Sequence, residues 1–131
     1  MTRNIALIEI KTPCTSLFGP QYRGTYSLSA DMSGAINQVL NYKDKLAKEY
    51  YASNQNSSEP FEVFSPKCFL IIGKIDSLNE SQIAALENYR NSLFNVTIIT
   101  FDELIQRTKD MLTLFRVEPV AEKDKEGDLP F

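Results

Sequence analysis

The stretch Asn4-Ile-Ala-Leu-Ile-Glu-Ile-Lys-Thr12 decides how this chain is read. Successive side chains of a strand alternate faces, so Ile5, Leu7, Glu9 and Lys11 share one face and Ala6, Ile8 and Ile10 the other. Both faces begin apolar, the pattern of a strand in the middle of a covered sheet. The first face then changes to a carboxylate and an amine at the strand's carboxyl end, where open α/β sheets place their ligands. Burying an unpaired ion is costly, so two charges on such a strand need a reason. Two readings stay open on the strand alone. Glu9 and Lys11 are a ligand site, or the strand runs out into water there with Lys11 as an ordinary ion-pair partner.

Beyond the strand, Thr12 to Ser29 is a connection long enough to suspect a purpose. Pro13 stops the strand, Gly19-Pro20 turns the chain, and Tyr22, Arg23 and Tyr26 either tuck onto the domain or meet a substrate. A helix is predicted from about Asp31 to Tyr51, capped by Ser29 or Asp31, with Ile36, Val39, Leu40, Lys43, Leu46, Ala47 and Tyr50 on its inner face. Ser53 to Ser58, closed by Pro60, reads as a polar excursion. Cys68-Phe-Leu-Ile-Ile72, ending at Gly73, is a second buried strand. Asn79 and Gln82 have capping-box spacing and open a helix with Ile83, Leu86, Tyr89 and Leu93 inward. Val96 to Ile99 is a third strand. Thr100 and Glu103 repeat the capping spacing before a helix with Leu104, Ile105, Thr108, Met111 and Leu112 inward.

This alternation implies parallel strands joined by right-handed crossovers. The expected fold is a three-layer α/β/α sandwich around a mixed or mostly parallel sheet. One domain spans residues 1–115, and residues 116–131 form a charged C-terminal tail that loses periodicity.

The 131 residues suit one domain, which at this size buries roughly two-thirds of its unfolded surface. A net charge of −3 argues against a basic coat for nucleic acid, yet Lys11, Arg23, Lys43, Lys45 and Lys48 allow a local basic groove. The chain has no histidine, which excludes His-ligated zinc, the Ser-His-Asp triad and imidazole acid–base chemistry. Catalysis must rest on carboxylates, lysine, tyrosine, a thiol or a hard metal held by oxygens. Cys14 and Cys68 make neither a disulfide framework nor a metal cluster. Without an apolar run of about 18 residues or a signal peptide, the expectation is a cytoplasmic protein with no membrane partner. No Gly-rich phosphate loop follows any strand, which weakens a nucleotide-processing reading.

Gln38 and Tyr42 lie four residues apart, on one face of the first helix. Glu9-Ile10-Lys11 in an apolar strand, followed by a helix bearing Gln38-x-x-x-Tyr42, resembles the PD-(D/E)XK nuclease fold in its RecB-like variety. Ala6-Leu-Ile-Glu-Ile-Lys-Thr-Pro13, a tyrosine-bearing loop, then Ser33-Gly-Ala-Ile-Asn-Gln-Val-Leu-Asn-Tyr42 is similar to the nuclease domain of Shedu antiphage defence proteins. The likeness in element order runs over roughly residues 4–112, but the specific motifs occupy only residues 6–13 and 33–42.

The resemblance implies a restriction-endonuclease-like sandwich and metal-dependent hydrolysis of DNA. Mg²⁺, or Mn²⁺, would be held by Glu9, the backbone carbonyl of Ile10 and an upstream Asp. Lys11 would stabilise charge on the phosphate or orient water, and Gln38 would position the Lys, the water or the DNA. Tyr42 would brace the helix against the strand, and Arg23, with Tyr42, would meet the substrate. The family's Asp lies on a strand preceding the Glu-x-Lys strand, itself preceded by a helix, and the sequence before Asn4 holds no counterpart. The expectation is thus a nuclease-type domain short of that helix and strand. It would hold metal weakly, be poorly active by itself, and self-associate through uncovered surface. The alternative is a catalytically inactive α/β module for assembly or sensing.

Overall fold

The computed structural model describes residues 3–55, Ser58 and 62–116. They form β1 (Asn4–Ile10), β2 (Phe18–Tyr22), β3 (Thr25–Leu28), α1 (Ala30–Gln55), β4 (Glu62–Ile71), α2 (Glu80–Ser92), β5 (Val96–Ile99) and α3 (Phe101–Phe115). β1, β4 and β5 make a three-stranded sheet in that order, with both pairings parallel. β4 is therefore central, and β1 lies at an edge among the described residues.

Register decides which face is core. Leu7 lies beside Cys68 and Glu9 beside Leu70, while Cys68 and Leu70 lie beside Val96 and Ile98. Strand alternation puts all six on one face. Above it α1 supplies Met32, Ala35, Ile36 and Val39, α2 supplies Ala85 and Leu86, and Leu17 and Phe18 close the end. The spacing of the α1 residues is the helical i, i+3, i+4, i+7 repeat. Ser29 caps α1 by accepting the Met32 N–H at 3.0 Å, and the helix continues through Ser53 to Gln55, where the sequence suggested an excursion. Asn56, Ser57, residues 59–61 and the tail from residue 117 onward lie outside the described residues.

Three expectations are corrected. The Thr12–Ser29 connection is not a plain loop, because β2 and β3 pair as an antiparallel hairpin. Its two-residue turn, Arg23-Gly24, has positive φ at both positions (47° and 81°), the geometry of a type I′ turn. Phe18 and Tyr26 pack their rings 5.9 Å apart beneath it.

Second, β1 is not covered on both faces. Ile8 is 58% and Ile10 62% exposed, although Phe69, Ile71 and Ile99 on the same side of the sheet are half-buried. Third, α3 buries none of its residues, so Ile105, Met111 and Leu112 face solvent rather than a core. The described residues thus form an α/β fold with one filled face and one partly covered face.

β4 is bulged near its start. Asn4 pairs with Glu62 and Ala6 with Lys67, so β4 carries extra residues over this span. The Asn4 side chain pins the bulge, donating to the Phe64 carbonyl at 2.8 Å and accepting the Phe64 N–H at 2.9 Å. Ser65, inside the bulge, has φ 42°.

The far end of the sheet is locked by acids. Asn79 and Gln82 form the expected capping box on α2, and Glu103 accepts the Thr100 N–H at 3.0 Å. The Asp102 carboxylate accepts the N–H groups of Ile75 and Asp76, both at 2.9 Å, tying the β4–α2 connection to α3. Burial pushes the Asp102 carboxyl upward, but hydrogen bonds from the Thr100 hydroxyl and from the Asp76, Ile75 and Glu103 N–H groups outweigh it, bringing it from 3.8 to about 2. A depressed carboxyl contributes stability above its unfolded value, which is lost as pH falls through the folded one. Denaturant melts should accordingly show wild type losing stability between pH 3.8 and about 2. Asp102→Asn should lose less over that window, and equal losses in both proteins would refute the assignment.

Candidate active site

Alternation along β1 turns Glu9 and Lys11 to the α1 side of the sheet, at its carboxyl end. The Lys11 ammonium lies 3.0 Å from a Glu9 carboxylate oxygen and donates to Gln38 Oε1 at 2.9 Å. Gln38 Nε2 in turn donates to the Tyr42 hydroxyl at 3.0 Å. An ammonium has three donors; Gln38 takes one of Lys11's, and Glu9 holds the same ammonium as an ion pair. Both charged groups are partly buried, at 32% and 17% side-chain exposure, so their attraction is screened less than at an open surface.

A cavity of about 410 Å³ opens beside this chain of contacts, lined among others by Lys11, Thr12, Thr15, Asp31, Gly34 and Gln38. It lies between the end of β1 and the first turns of α1. Helix amino termini favour anions, and the Lys11 ammonium adds a full positive charge, while Asp31 opposes both. The arrangement suits an anionic group, with Glu9 available to accept a proton or orient water.

Glu9, Lys11 and Gln38 therefore meet, an arrangement that the family resemblance implied. Tyr42 reaches Gln38 on its own helix rather than bracing α1 against β1, and its side chain is about half exposed. Arg23 does not join the cluster in any contact found among the described residues. It sits in the hairpin turn with its guanidinium 5.5 Å from the Tyr22 ring centroid. Thr12, Thr15 and Gly34 were missed as cavity residues. The two threonines share a hydrogen bond of 2.9 Å on a connection whose course hydrophobic periodicity does not reveal.

The metal expectation meets a thinner donor set. Mg²⁺ takes six oxygens, commonly one or two carboxylates with waters and phosphate. Glu9 offers one carboxylate, already paired with Lys11, and no group of three or more His, Cys, Asp or Glu able to hold a metal occurs among the described residues. The described residues do not by themselves make a complete metal centre. Further, no described helix is long and apolar enough to cross a membrane.

The fold and the cluster define an α/β domain with a carboxylate–ammonium–amide relay at the carboxyl end of a parallel sheet. The chain belongs to the family described as Shedu protein SduA, C-terminal, which matches residues 1–105. It is 41% identical over 121 residues to the Shedu protein SduA of Bacillus cereus (strain B4264), an alignment covering 86% of this chain. The same alignment covers 32% of that relative, so the chain spans about a third of its length.

Proposed function

We propose that this domain is the DNA-cleaving part of an antiphage defence protein, with a PD-(D/E)XK-type phosphodiesterase site at Glu9 and Lys11. The observation that carries the reading is the contact chain Glu9–Lys11–Gln38 beside a cavity fit for an anion. Membership of the Shedu family supports the defence role. In this reading the Lys11 ammonium meets the charge that develops on a DNA phosphate, the preorganised electrostatic role that such a reaction rewards. Glu9 orients water, and Gln38 is a positioning residue that keeps Lys11 aimed. The implied Mg²⁺ or Mn²⁺ would rest on Glu9 and the Ile10 carbonyl only if a further carboxylate came from outside the described residues. The site of action is the cytoplasm, and the apolar Ile8 and Ile10 at the β1 edge favour self-association. A purely monomeric sedimentation profile at high concentration would remove that last element.

A second reading follows from the thin donor set: an α/β module used for assembly or sensing. Calorimetry with Mn²⁺ separates the two. The cleavage reading expects weak heat in this chain, with Kd on the order of millimolar, that disappears in Glu9→Gln. No heat in either protein would leave the assembly module as the better account.

A further inference from the structure

A second cavity, of about 400 Å³, lies toward the amino end of the sheet, away from Glu9 and Lys11. It forms where bulged β4 runs past the start of β5, with α1 along one side. Lys43 and Lys67 line it together with Ser65, Asn95 and Phe94, and no carboxylate is among its lining residues. Neither lysine has an ion-pair partner among the described residues, although acidic residues outnumber basic ones 17 to 14 in the chain. Phe94 is 95% exposed, a large apolar ring held open beside two unpaired cations.

The cavity wall is built rather than incidental. The β4 bulge that shapes it is held by two hydrogen bonds between the Asn4 side chain and the Phe64 backbone, and Ser65 within it adopts a left-handed backbone conformation, φ 42°, that is strained outside glycine. Bulges of this kind re-aim side chains next to functional sites. Cations without carboxylates complement phosphate, and an exposed aromatic face complements an unpaired base. Bases within a duplex already stack on one another, so an accessible ring favours a single strand.

We propose that Lys43, Lys67 and Phe94 form a binding site for single-stranded nucleic acid, with the lysines on the backbone phosphates and a base stacked on Phe94. The register places Lys67 level with Ala6, three residues before Glu9, or roughly 10 Å along the strand. Helix α1 links the two places, carrying Gln38 at one and Lys43 at the other. Strand alternation turns Lys67 to the face opposite Glu9 and Lys11, so this site lies apart from the Lys11 cavity. The site needs no cleavage chemistry, and its test is one of binding alone.

The test uses the 131-residue chain and a fluorescent oligothymidylate, with EDTA present, read by anisotropy across a salt series. Wild type should bind, with affinity falling as salt rises. Phe94→Ala, and Lys43→Ala with Lys67→Ala, should each weaken binding by roughly tenfold or more, while Phe94→Trp keeps it. Thermal melting of each variant controls for folding. No binding by wild type overturns the proposal. So does wild-type affinity in both site variants, whether or not Lys11→Ala loses binding. A Phe94→Ala effect confined to sedimentation would also overturn it, marking a protein contact instead. Loss of cleavage in Lys11→Ala with oligonucleotide binding intact would leave this site standing apart from the cleavage reading.

Discussion

Lys11→Ala is expected to lower DNA cleavage by a full-length Shedu protein carrying this domain by about 10²–10³-fold, the range for loss of a preorganised charge stabiliser. The amine is held between Glu9 at 3.0 Å and Gln38 at 2.9 Å, so its position is set before any substrate arrives. Lys11→Arg should rescue little. A planar guanidinium presents its donors in a rigid fork, and both partners here are arranged around a compact ammonium. Gln38→Ala should cost less, roughly tenfold, and should act on kcat more than on KM, because in the proposed mechanism Gln38 serves to aim Lys11. Tyr42→Phe should be milder still, since it removes only the acceptor for the Gln38 amide. The measurement is cleavage of labelled DNA under single-turnover conditions, with thermal melting as the control. Wild-type rates in Lys11→Ala would sink the cleavage reading.

Gly73→Ala is expected to destabilise the domain by about 2–4 kcal/mol, combining backbone strain with overpacking. Gly73 follows the central strand with φ 63°, where an L side chain is strained. An added Cβ would lie 2.7 Å from Leu17 Cδ2 and 2.9 Å from the Thr15 carbonyl oxygen. Leu17 is 2% exposed and cannot swing away. The backbone of Gly73 is committed as well, donating to the Thr12 carbonyl at 3.0 Å and accepting the Phe101 N–H at 2.9 Å. The effect should reach the site, because Thr12 and Thr15 line the Lys11 cavity. Urea denaturation should show a lower midpoint with an unchanged slope. A midpoint within error of wild type would mean that the loop yields freely.

What the sequence made legible was local. Period-two alternation put Leu7, Glu9 and Lys11 on one face, and helical spacing put Gln38 with Tyr42 on one face of α1, while the approach of Gln38 to Lys11 was implied by the family resemblance alone. The capping residues Asn79 and Gln82 marked the start of α2, and Ser29, one of two candidates with Asp31, the start of α1. Coverage was not legible. Apolar side chains at Ile8 and Ile10, or along α3 at Ile105 and Leu112, state a preference for burial but not what lies opposite them. The hairpin was hidden by weak strand signals: Pro20 sits inside β2, and Arg23-Gly24 is less distinctive than the Asn-Gly that usually marks such turns. Met32 and Ala35 extend the buried face of α1 one turn before Ile36, because the helix begins at Ala30 and its first turn already packs on the sheet. The Lys43–Lys67–Phe94 cavity depends on a bulge, which shifts register without changing hydrophobic pattern.

The pairing of β1 with β4 also sets a timetable. Leu7 finds its neighbour in Cys68, about 60 positions further along the chain. On a ribosome adding roughly 5–20 residues each second, the first strand waits some 3–12 s before its partner has been made. Until then Ile5, Leu7, Ile8 and Ile10 are presented on a segment that cannot yet form its ladder with β4. The β2–β3 hairpin and α1, whose contacts are local, can take shape in that interval. Pairing β1 with β4 is therefore a late, long-range event, and of the sheet's three described strands the one that carries Glu9 is synthesised before both of its sheet partners and is among the last to be secured.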